Sequence, residues 1–186
     1  MLSESQQAAL QRLLDKDEIR DAMSRYARGV DRGDWDLVRS AYHPDAHDNH
    51  SDYSGGVDGF IEWLEKRFTG VDNSMHFLGN SLIEFAGPDL ALVETYYVSR
   101  RLRSFTDEER HMAGPNDAMA RESWGRYVDR FERRNGEWRV AHRTVVSEAA
   151  SSSIAYGGKA PVPGSKGRRD ALDRVFEARN EIFQKG

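Results

Sequence analysis

The sequence contains no cysteine, which excludes both a disulfide-stabilised fold and a metal site built on thiolates. It has no apolar run long enough to cross a bilayer, so we expect no membrane-spanning segment. The opening residues, MLSESQQAAL, lack the basic region and apolar core of a secretory signal, which makes a cytoplasmic protein the expectation. Positive charge is not in excess, because the formal net charge is −4. Neither nucleic acid nor a membrane is therefore an expected partner.

Motifs for phosphate and nucleophile chemistry are missing as well. The sequence has neither a phosphate-binding glycine loop nor a serine-centred nucleophile elbow. What is present is a chain of 186 residues, 38% hydrophobic and 31% charged, which suits one globular domain with a proper core. We therefore expect activity that needs no added metal or organic cofactor.

The stretch from Ile19 to Asp31 has a clear helical pattern. Six apolar residues recur at helical spacing and form one stripe: Ile19, Ala22, Met23, Tyr26, Ala27 and Val30. Asp15-x-x-Glu18 predicts the start of this helix as a variant capping box, and Gly33 predicts its end. A separate first helix is predicted over residues 3–14, with Ser3 as its cap.

Asp31 and Tyr26 are the candidate polar groups of this helix. Asp31 lies at the border of the apolar stripe, where a carboxylate needs a partner because desolvating a lone charge is costly. Tyr26 could donate a proton or hydrogen-bond a developing oxyanion. Residues five apart do not share a helix face, so the two meet in one pocket only if the helix ends or unwinds near Gly29.

Two more helices are predicted, one over Asp34–Tyr42 and one beginning near Asp58. The segment between them, residues 43–55, is polar and rich in turn residues, with room for one short strand.

A run of strands follows. Alternation over Met75–Phe85 places these residues on one face: Met75, Phe77, Ile83 and Phe85; the other face carries His76, Leu78, Asn80, Leu82 and Glu84. A second strand is predicted from Ala91 to Ser104, and Asn135-Gly136 is the strongest short hairpin signal. Early helices followed by antiparallel strands predict an α+β fold, a curved sheet with helices packed on its concave side.

Residues 149–186 are predicted to form a C-terminal part, separate from a core domain at residues 1–148. Residues 149–167 are rich in Ser, Gly, Ala and Pro, which is typical of an extended arm. Leu172, Val175, Phe176 and Phe183 then predict a last amphipathic helix. This helix could pack on its own domain, on a neighbouring subunit, or over a cavity.

His76 shares its predicted strand face with apolar residues and Asn80, the pattern of a half-buried, polar-lined surface. A lone histidine or aspartate in such a position is more often structural than catalytic. Together, Asp31 and His76 make a stronger hypothesis. A carboxylate that orients and charges an imidazole gives a general base that operates near neutral pH.

Arg143, in WRVAHRTVV, is the candidate for a fixed cation. Alternation places Arg139, Ala141 and Arg143 on one strand face, and a surface arginine is the alternative interpretation. The arginine-rich stretch from Arg121 to Arg143 is interleaved with acids. This pattern predicts a salt-bridged sheet surface rather than a nucleic-acid site.

A histidine-rich segment invites a metal hypothesis. It contains His43, His47 and His50 together with Asp45 and Asp48. The spacing H-x3-H-x2-H in a loop matches no closed structural zinc pattern, so no functional metal is expected.

Four segments, in their order and spacing, resemble the SnoaL-like family of the nuclear-transport-factor-2-like superfamily. They are YARGVDRGDWDLVRSAYHPDA, MHFLGNSLIEF, ALVETYY and GRYVDRFERRNGEWRVAHR. They cover roughly residues 10–148. The resemblance implies a cone-shaped α+β barrel, the scaffold of scytalone dehydratase, hexachlorocyclohexane dehydrochlorinase and bile acid 7α-dehydratase.

The resemblance also implies roles for individual residues. Asp31 and His76 stand at the positions of the aspartate–histidine pair of these lyases. Tyr26 resembles the active-site tyrosine of the bile acid dehydratase, and Arg143 resembles an arginine in the last strand of the dehydrochlorinase.

His50 stands where scytalone dehydratase has a substrate-binding tyrosine, and His50 and Tyr53 are our candidates for substrate contact. Ser99–Arg101 occupy the region of that enzyme's second histidine, which argues against scytalone itself as the substrate.

We therefore expect a cofactor-independent lyase, dehydratase-like, acting on a hydrophobic aromatic or polycyclic small molecule. The same apparatus could release formaldehyde from a lignin-derived aromatic by retro-aldol cleavage, or close a polyketide ring. The alternatives of another class are a non-catalytic ligand-binding protein and the small subunit of an aromatic-ring dioxygenase. A ketosteroid-isomerase-like proton shuttle is a further option. A homodimer or homotrimer is expected.

Overall fold

The computed structural model describes residues 1–160, 164 and 166–183. Within them the chain forms helices and one six-stranded curved sheet, which confirms the predicted α+β class. The helices are α1 (Glu4–Arg32), α2 (Trp35–Ser40), α3 (Val57–Arg67) and α4 (Arg174–Phe183), and the strands are β1 (Tyr42–His50), β2 (Tyr53–Gly56), β3 (Val71–Phe85), β4 (Leu90–Arg103), β5 (Ala118–Arg134) and β6 (Glu137–Ala155). None of the helices in these ranges has the length and apolar character needed to cross a bilayer.

The sheet has the order β2-β1-β6-β5-β4-β3. Its neighbouring strands are antiparallel except for β1 and β6, which run parallel. The predicted turn at Asn135-Gly136 joins β5 to β6 and is confirmed, with φ angles of 54° and 85° that favour asparagine and glycine.

Helix α1 is one continuous helix rather than the two that the sequence predicts. Ser3 caps it, accepting a hydrogen bond from the backbone N–H of Gln6, and Gly33 ends it in the left-handed region with φ 69°. The predicted capping box at Asp15 is wrong. Asp15 is only 3% exposed in the middle of the helix, where the Trp138 indole N–H donates to its carboxylate at 3.0 Å.

The apolar stripe of α1 packs into the core, as predicted, and Ile19, Tyr26 and Val30 are at most 1% exposed. The helix does not unwind at Gly29. A Cβ atom at this position would lie 2.7 Å from Val38 Cγ2, so only glycine lets α2 approach so closely.

The segment at residues 43–55, predicted as mainly loop, forms two strands. The helix predicted to reach Tyr42 ends at Ser40, and Tyr42 begins β1. Helix α3 begins at Val57, next to the predicted start, and buries Phe60, Ile61 and Leu64.

Irregularities in β3 and β6 change which side chains face the core. The register of β3 shifts between Leu78 and Ser81, so Met75 and Phe77 lie on the outer surface while Ile83 is buried. The predicted common face of these three residues is therefore wrong. In β6 the register shifts at Ala141, and Arg143 joins Trp138 and Val140 in the interior.

The predicted boundary between residues 148 and 149 falls inside β6. This strand continues to Ala155, pairing with the start of β5, so the first part of the predicted arm belongs to the sheet. The last helix is present as α4. Residues 161–163 and 165 of the predicted arm, and the last three residues, lie outside the described part of the chain.

Candidate functional site

A cavity of about 140 Å³ lies between α1, α3 and the inner face of the sheet. Its walls are mainly aromatic and aliphatic, and its polar lining consists of histidines, serines and arginines. The lining includes Tyr26, Val30, His50, Trp63, Leu64, Phe68, His76, Tyr97, Ser99, Ser123, Tyr127 and Val145. An apolar pocket with a few converging polar groups is the usual form of a small-molecule site.

Asp31 and His76 meet at one wall of this cavity, as predicted. The His76 Nδ1 atom lies 2.7 Å from Asp31 Oδ1, the backbone N–H of His76 donates to Oδ2 at 2.6 Å, and the Ser74 hydroxyl donates to Oδ1 at 2.8 Å. Because Nδ1–H points at the carboxylate, Nε2 is the nitrogen that can accept a proton. No hydrogen bond between described residues occupies it.

Asp31 is 5% exposed, yet it is held as a carboxylate. Burial alone would raise its pKa, but the hydrogen bonds and charge of His76, together with the Ser74 hydroxyl, hold the pKa below its ordinary value. The depressed pKa means that this pairing stabilises the fold at neutral pH. That stabilisation is lost as the pH falls through the folded-state pKa.

Tyr26 joins this pair without any break in α1. The His76 ring packs edge-on against the Tyr26 ring with a centroid distance of 6.4 Å, so the histidine bridges two helix positions that face different ways. Burial raises the pKa of Tyr26 far above its ordinary value. The phenol therefore stays protonated and can act only as a hydrogen-bond donor or acceptor.

His50 lines the cavity between Phe60 and Trp63, at centroid distances of 5.2 and 5.4 Å. Its buried Nδ1 atom has no hydrogen-bond partner among the described residues and lies 3.6 Å from Asp48 Oδ1, which also has none. With a proton on Nδ1, a small rotation of the His50 ring would let Nδ1–H donate to Asp48 Oδ1, which would give both atoms a hydrogen-bond partner. His50 at the cavity wall thus lies next to a buried carboxylate behind the lining, as His76 lies next to Asp31.

Arg143 does not line the cavity, and it is fully buried, so the surface interpretation is wrong. It makes two hydrogen bonds to Asp129, at 2.7 and 2.6 Å, and its guanidinium lies between the rings of Tyr26 and Tyr127 at 4.2 and 4.3 Å. It also donates to the Tyr42 hydroxyl at 3.0 Å. A direct contact between Arg143 and substrate is therefore not supported.

A buried polar network connects Arg143 to His50. The Tyr42 hydroxyl, which accepts from Arg143, donates to Asp48 Oδ2 at 2.7 Å, and Asp48 is 0% exposed next to His50. Arg143 is therefore placed to position the tyrosines and Asp48, which in turn contact the cavity residues.

Tyr53, predicted to contact substrate, does not line the cavity. Its hydroxyl donates to the Gly56 carbonyl at 2.6 Å, and its ring packs on Phe60 and Trp63, so it supports the start of α3.

The three histidines of the metal hypothesis separate. His43 lies against the Glu132 carbonyl at 2.9 Å, His47 stacks on His142, and His50 faces the cavity. The strand geometry of β1 separates them, and within the described ranges no group of metal-binding side chains forms.

Three cavity residues lie on β4: Tyr97, Ser99 and Arg101. The family resemblance places Ser99–Arg101 in the region of a second active-site histidine, whereas Tyr97 was not predicted. The spacing of these residues could have identified all three, because the residues of a strand that face inward recur at every second position. Arg121 was also missed. It lines the cavity, whereas Arg126, Arg133 and Arg134 form the predicted surface ion pairs.

The C-terminal segment lies at the end of α1, near the rim of the cavity. Arg169 donates to the carbonyl of Asp31 at 3.0 Å, and its guanidinium lies 4.2 Å from the ring of Phe68, a lining residue. The segment before α4 thus packs on its own domain beside the cavity. The three placements were predicted for α4 itself, whose Phe176 ring lies 6.0 Å from the Arg28 guanidinium of α1, while Phe183 is 70% exposed.

Comparisons with known proteins agree with this architecture. The model of the SnoaL-like domain matches residues 11–144, and no curated protein matches the sequence. A structure described as a candidate scytalone dehydratase from Novosphingobium aromaticivorans is 16% identical, with a TM-score of 0.66, covering 85% of this chain and 99% of that one. A hexachlorocyclohexane dehydrochlorinase, LinA type 2, is 18% identical, with a TM-score of 0.67, covering 84% and 99%.

At these identities the structural likeness establishes the fold and leaves the activity open. The family model spans most of the chain, and the helices with one curved sheet form the α+β architecture that the family resemblance implies. The chain belongs to the SnoaL-like family of the nuclear-transport-factor-2-like superfamily.

Proposed function

We propose that the protein is a cofactor-independent lyase that removes a proton from a small aromatic substrate and expels water. The observation that carries this proposal is the buried Asp31–His76 pair, whose Nε2 side borders an aromatic cavity. A protein that only bound ligands would need the cavity, but it would not need an imidazole oriented by a carboxylate.

Three side chains carry out the steps of the proposed reaction. His76 Nε2 takes the proton from a carbon next to an activating carbonyl or ring, and Tyr26 donates a hydrogen bond to the oxygen that becomes enolate-like. The C–O bond then breaks as His50, held next to Asp48, gives a proton to the departing hydroxyl. One C–H and one C–O bond are lost, a double bond and water are formed, and solvent restores both histidines.

The size of the cavity limits the substrate. An engineered protein cavity of about 150 Å³ binds benzene, so a cavity of about 140 Å³ holds one ring. We therefore favour a single-ring aromatic over the polycyclic alternative. A polycyclic compound would leave most of its rings outside the reach of His76.

We expect turnover of a panel of single-ring aromatic alcohols that carry an activated C–H next to the hydroxyl-bearing carbon. Mass spectrometry distinguishes the possible reactions: loss of one water indicates dehydration, and loss of one formaldehyde indicates retro-aldol cleavage. Dialysis against a strong chelator should leave the rate unchanged.

Failure of every panel member, together with co-purification of an iron–sulfur protein, would instead favour the dioxygenase-subunit alternative. A chelator-sensitive rate restored by one divalent ion would contradict the cofactor-free mechanism.

We also propose that the protein is a homo-oligomer that associates through the outer face of the sheet. Phe77, Val98 and Trp124 lie in one row across β3, β4 and β5 and are 67%, 48% and 40% exposed. Exposed apolar clusters of this kind mark association surfaces. The ion pair Arg100–Glu122 borders the row. A two-fold contact can therefore set the arginine of one copy against the glutamate of the other.

Phe77→Asp should convert the oligomer to a monomer, because it places a charge in the middle of the apolar row. Light scattering after size exclusion measures the mass. The matched control is Leu13→Asp, an exposed leucine on α1 away from this row, which should leave the mass unchanged. A monomeric wild type, or an oligomeric Phe77→Asp variant, would contradict this interface.

A further inference from the structure

Three arginines, Arg67, Arg101 and Arg121, line the cavity, and we refer to them as the arginine cluster. Arg67 ends α3, while Arg101 lies on β4 and Arg121 on β5. The same three side chains line an adjoining cavity of about 440 Å³, bordered by Thr69, Val71, Arg103 and Met119. The arginine cluster therefore lies at the junction between the interior cavity and a second, outer cavity.

Arg101 and Arg121 are placed unfavourably with respect to each other. They are directly opposite in the β4–β5 register, and like charges in such a cross-strand pair destabilise a sheet. Burial, together with the charges of Arg67, Arg121 and Arg169, lowers the pKa of Arg101 to about 10. Arg101 is thus still a cation at neutral pH, and the repulsion is present in the folded protein.

Acidic partners are scarce on this side of the sheet. Among the described residues, no acidic side chain lines the cavity, and neither Arg101 nor Arg121 forms an ion pair. Arg67 lies 3.8 Å from Asp52, whose side chain is 73% exposed. The charge of the arginine cluster is therefore largely uncompensated.

The outer face of the same two strands shows the contrast. One position away from Arg101 and Arg121, Arg100 lies opposite Glu122 and pairs with it at 3.3 Å. On the outside an arginine faces an acid, whereas on the cavity side an arginine faces an arginine. Salt bridging across the sheet surface therefore does not explain why Arg101 lies opposite Arg121 on the cavity side.

Aromatic walls hold two of these guanidinium groups in place. Arg101 lies 5.1 Å from the ring centroid of Phe68, and Arg67 lies 4.8 Å from that of Trp63. Such contacts fix the orientation of a guanidinium and leave its edge N–H groups free to donate.

We infer that the arginine cluster binds an oxyanion, a carboxylate or a phosphate, carried by the aromatic substrate whose ring occupies the cavity. Guanidinium groups pair with such oxyanions through two parallel hydrogen bonds. This inference rests on the proposed function for the identity of the bound ring as a substrate. It narrows the substrate class to aromatic acids or aryl phosphates, because a neutral aromatic would leave the repulsion between Arg101 and Arg121 unrelieved.

Binding of small probes tests this inference without requiring turnover. Benzoate and phenyl phosphate represent the two oxyanions, and benzamide is the neutral counterpart of benzoate. Calorimetry or NMR titration of the full chain should give benzoate or phenyl phosphate a Kd at least roughly tenfold lower than benzamide, as expected for a charged hydrogen bond. The tighter of the two anionic probes identifies the oxyanion.

Two arginine variants of equal charge change make the test specific. Arg101→Gln should abolish the preference for the anionic probe, whereas Arg100→Gln, on the outer face of the same strand, should retain it. Because Arg101→Gln removes the cross-strand repulsion, it should also unfold at the same temperature as the wild type or higher. If thermal unfolding of the variant shows this stability, a loss of the preference cannot come from misfolding.

His76→Ala should keep the full preference for the anionic probe, so the outcome is independent of whether the lyase proposal holds. Equal Kd values for benzoate, phenyl phosphate and benzamide on the wild type would overturn the inference. An equal loss of preference in Arg100→Gln and Arg101→Gln would also overturn it, because net charge alone would then explain the binding.

Discussion

His76→Ala should lower turnover by about 10²–10⁴-fold, because it removes the group proposed to take the substrate proton. The fold should survive. The Ser74 hydroxyl and the backbone N–H of residue 76 still donate to Asp31, so the carboxylate loses one of its hydrogen-bond donors and keeps the others. Turnover and thermal unfolding are measured on the same samples. His111→Ala, which removes an exposed histidine outside the cavity, is the matched control and should change neither.

Asp31→Asn should be similarly severe, since an amide neither charges the imidazole nor fixes its tautomer. It also turns an NH₂ group towards hydrogen-bond donors, which should cost about 1–3 kcal/mol of stability. Because Asp31 and His76 act as a unit, the double variant should lose far less than the product of the two single losses. Folded variants with near-normal rates would disprove the catalytic assignment, and so would multiplicative effects.

The meeting of Asp31 and His76 could be predicted because it depends on regular geometry. The apolar stripe of α1 determines which side of the helix is buried, and Asp31 lies at its border. The family resemblance then supplies the histidine as its partner. The condition placed on Tyr26, that α1 must unwind near Gly29, was unnecessary, because an imidazole ring is wide enough to contact both helix positions.

The strand faces were harder to predict because one extra residue reverses the alternation. In β3 the shift between Leu78 and Ser81 moves Met75 and Phe77 to the outer face, and Gly79 is the only local sign of it. In β6 the shift at Ala141 turns Arg143 inward without any glycine or proline to indicate it. A strict two-residue period therefore assigned these residues to the wrong sides.

Buried polar residues were missed for a different reason: their partners are distant in sequence. Asp15 resembles a helix cap locally, but Trp138 and Arg133 donate to its carboxylate within the helix. Arg143 has the local surroundings of a surface residue, whereas Asp129, Tyr42 and the ring of Tyr26 surround it in three dimensions. Such tertiary partners cannot be inferred from the local pattern of a single sequence.

The second large expected effect is a loss of stability when the buried pair of Arg143 and Asp129 is broken. Both Arg143 and Asp129 are 0% exposed, and removing either partner leaves an uncompensated buried charge. Arg143→Met or Asp129→Leu alone should therefore reduce the free energy of unfolding by about 3–5 kcal/mol. In a chain of this length that corresponds to a decrease in unfolding temperature of about 6–20 °C. Thermal and urea unfolding measure the change.

The double variant Arg143→Met/Asp129→Leu separates the stability of the ion pair from its effect on the site. It removes both charges and keeps similar volume, so it should recover most of the lost stability. If Arg143 positions Tyr26 and Tyr42, the folded double variant should still show a lower kcat with little change in KM. The reason is that Tyr26, the donor to the developing oxyanion, is no longer held in place. A double variant as unstable as the singles would show that the buried network as a whole, rather than charge pairing, determines stability. Normal kcat in a stable double variant would remove Arg143 from the positioning role and leave Tyr26 held by α1 packing alone.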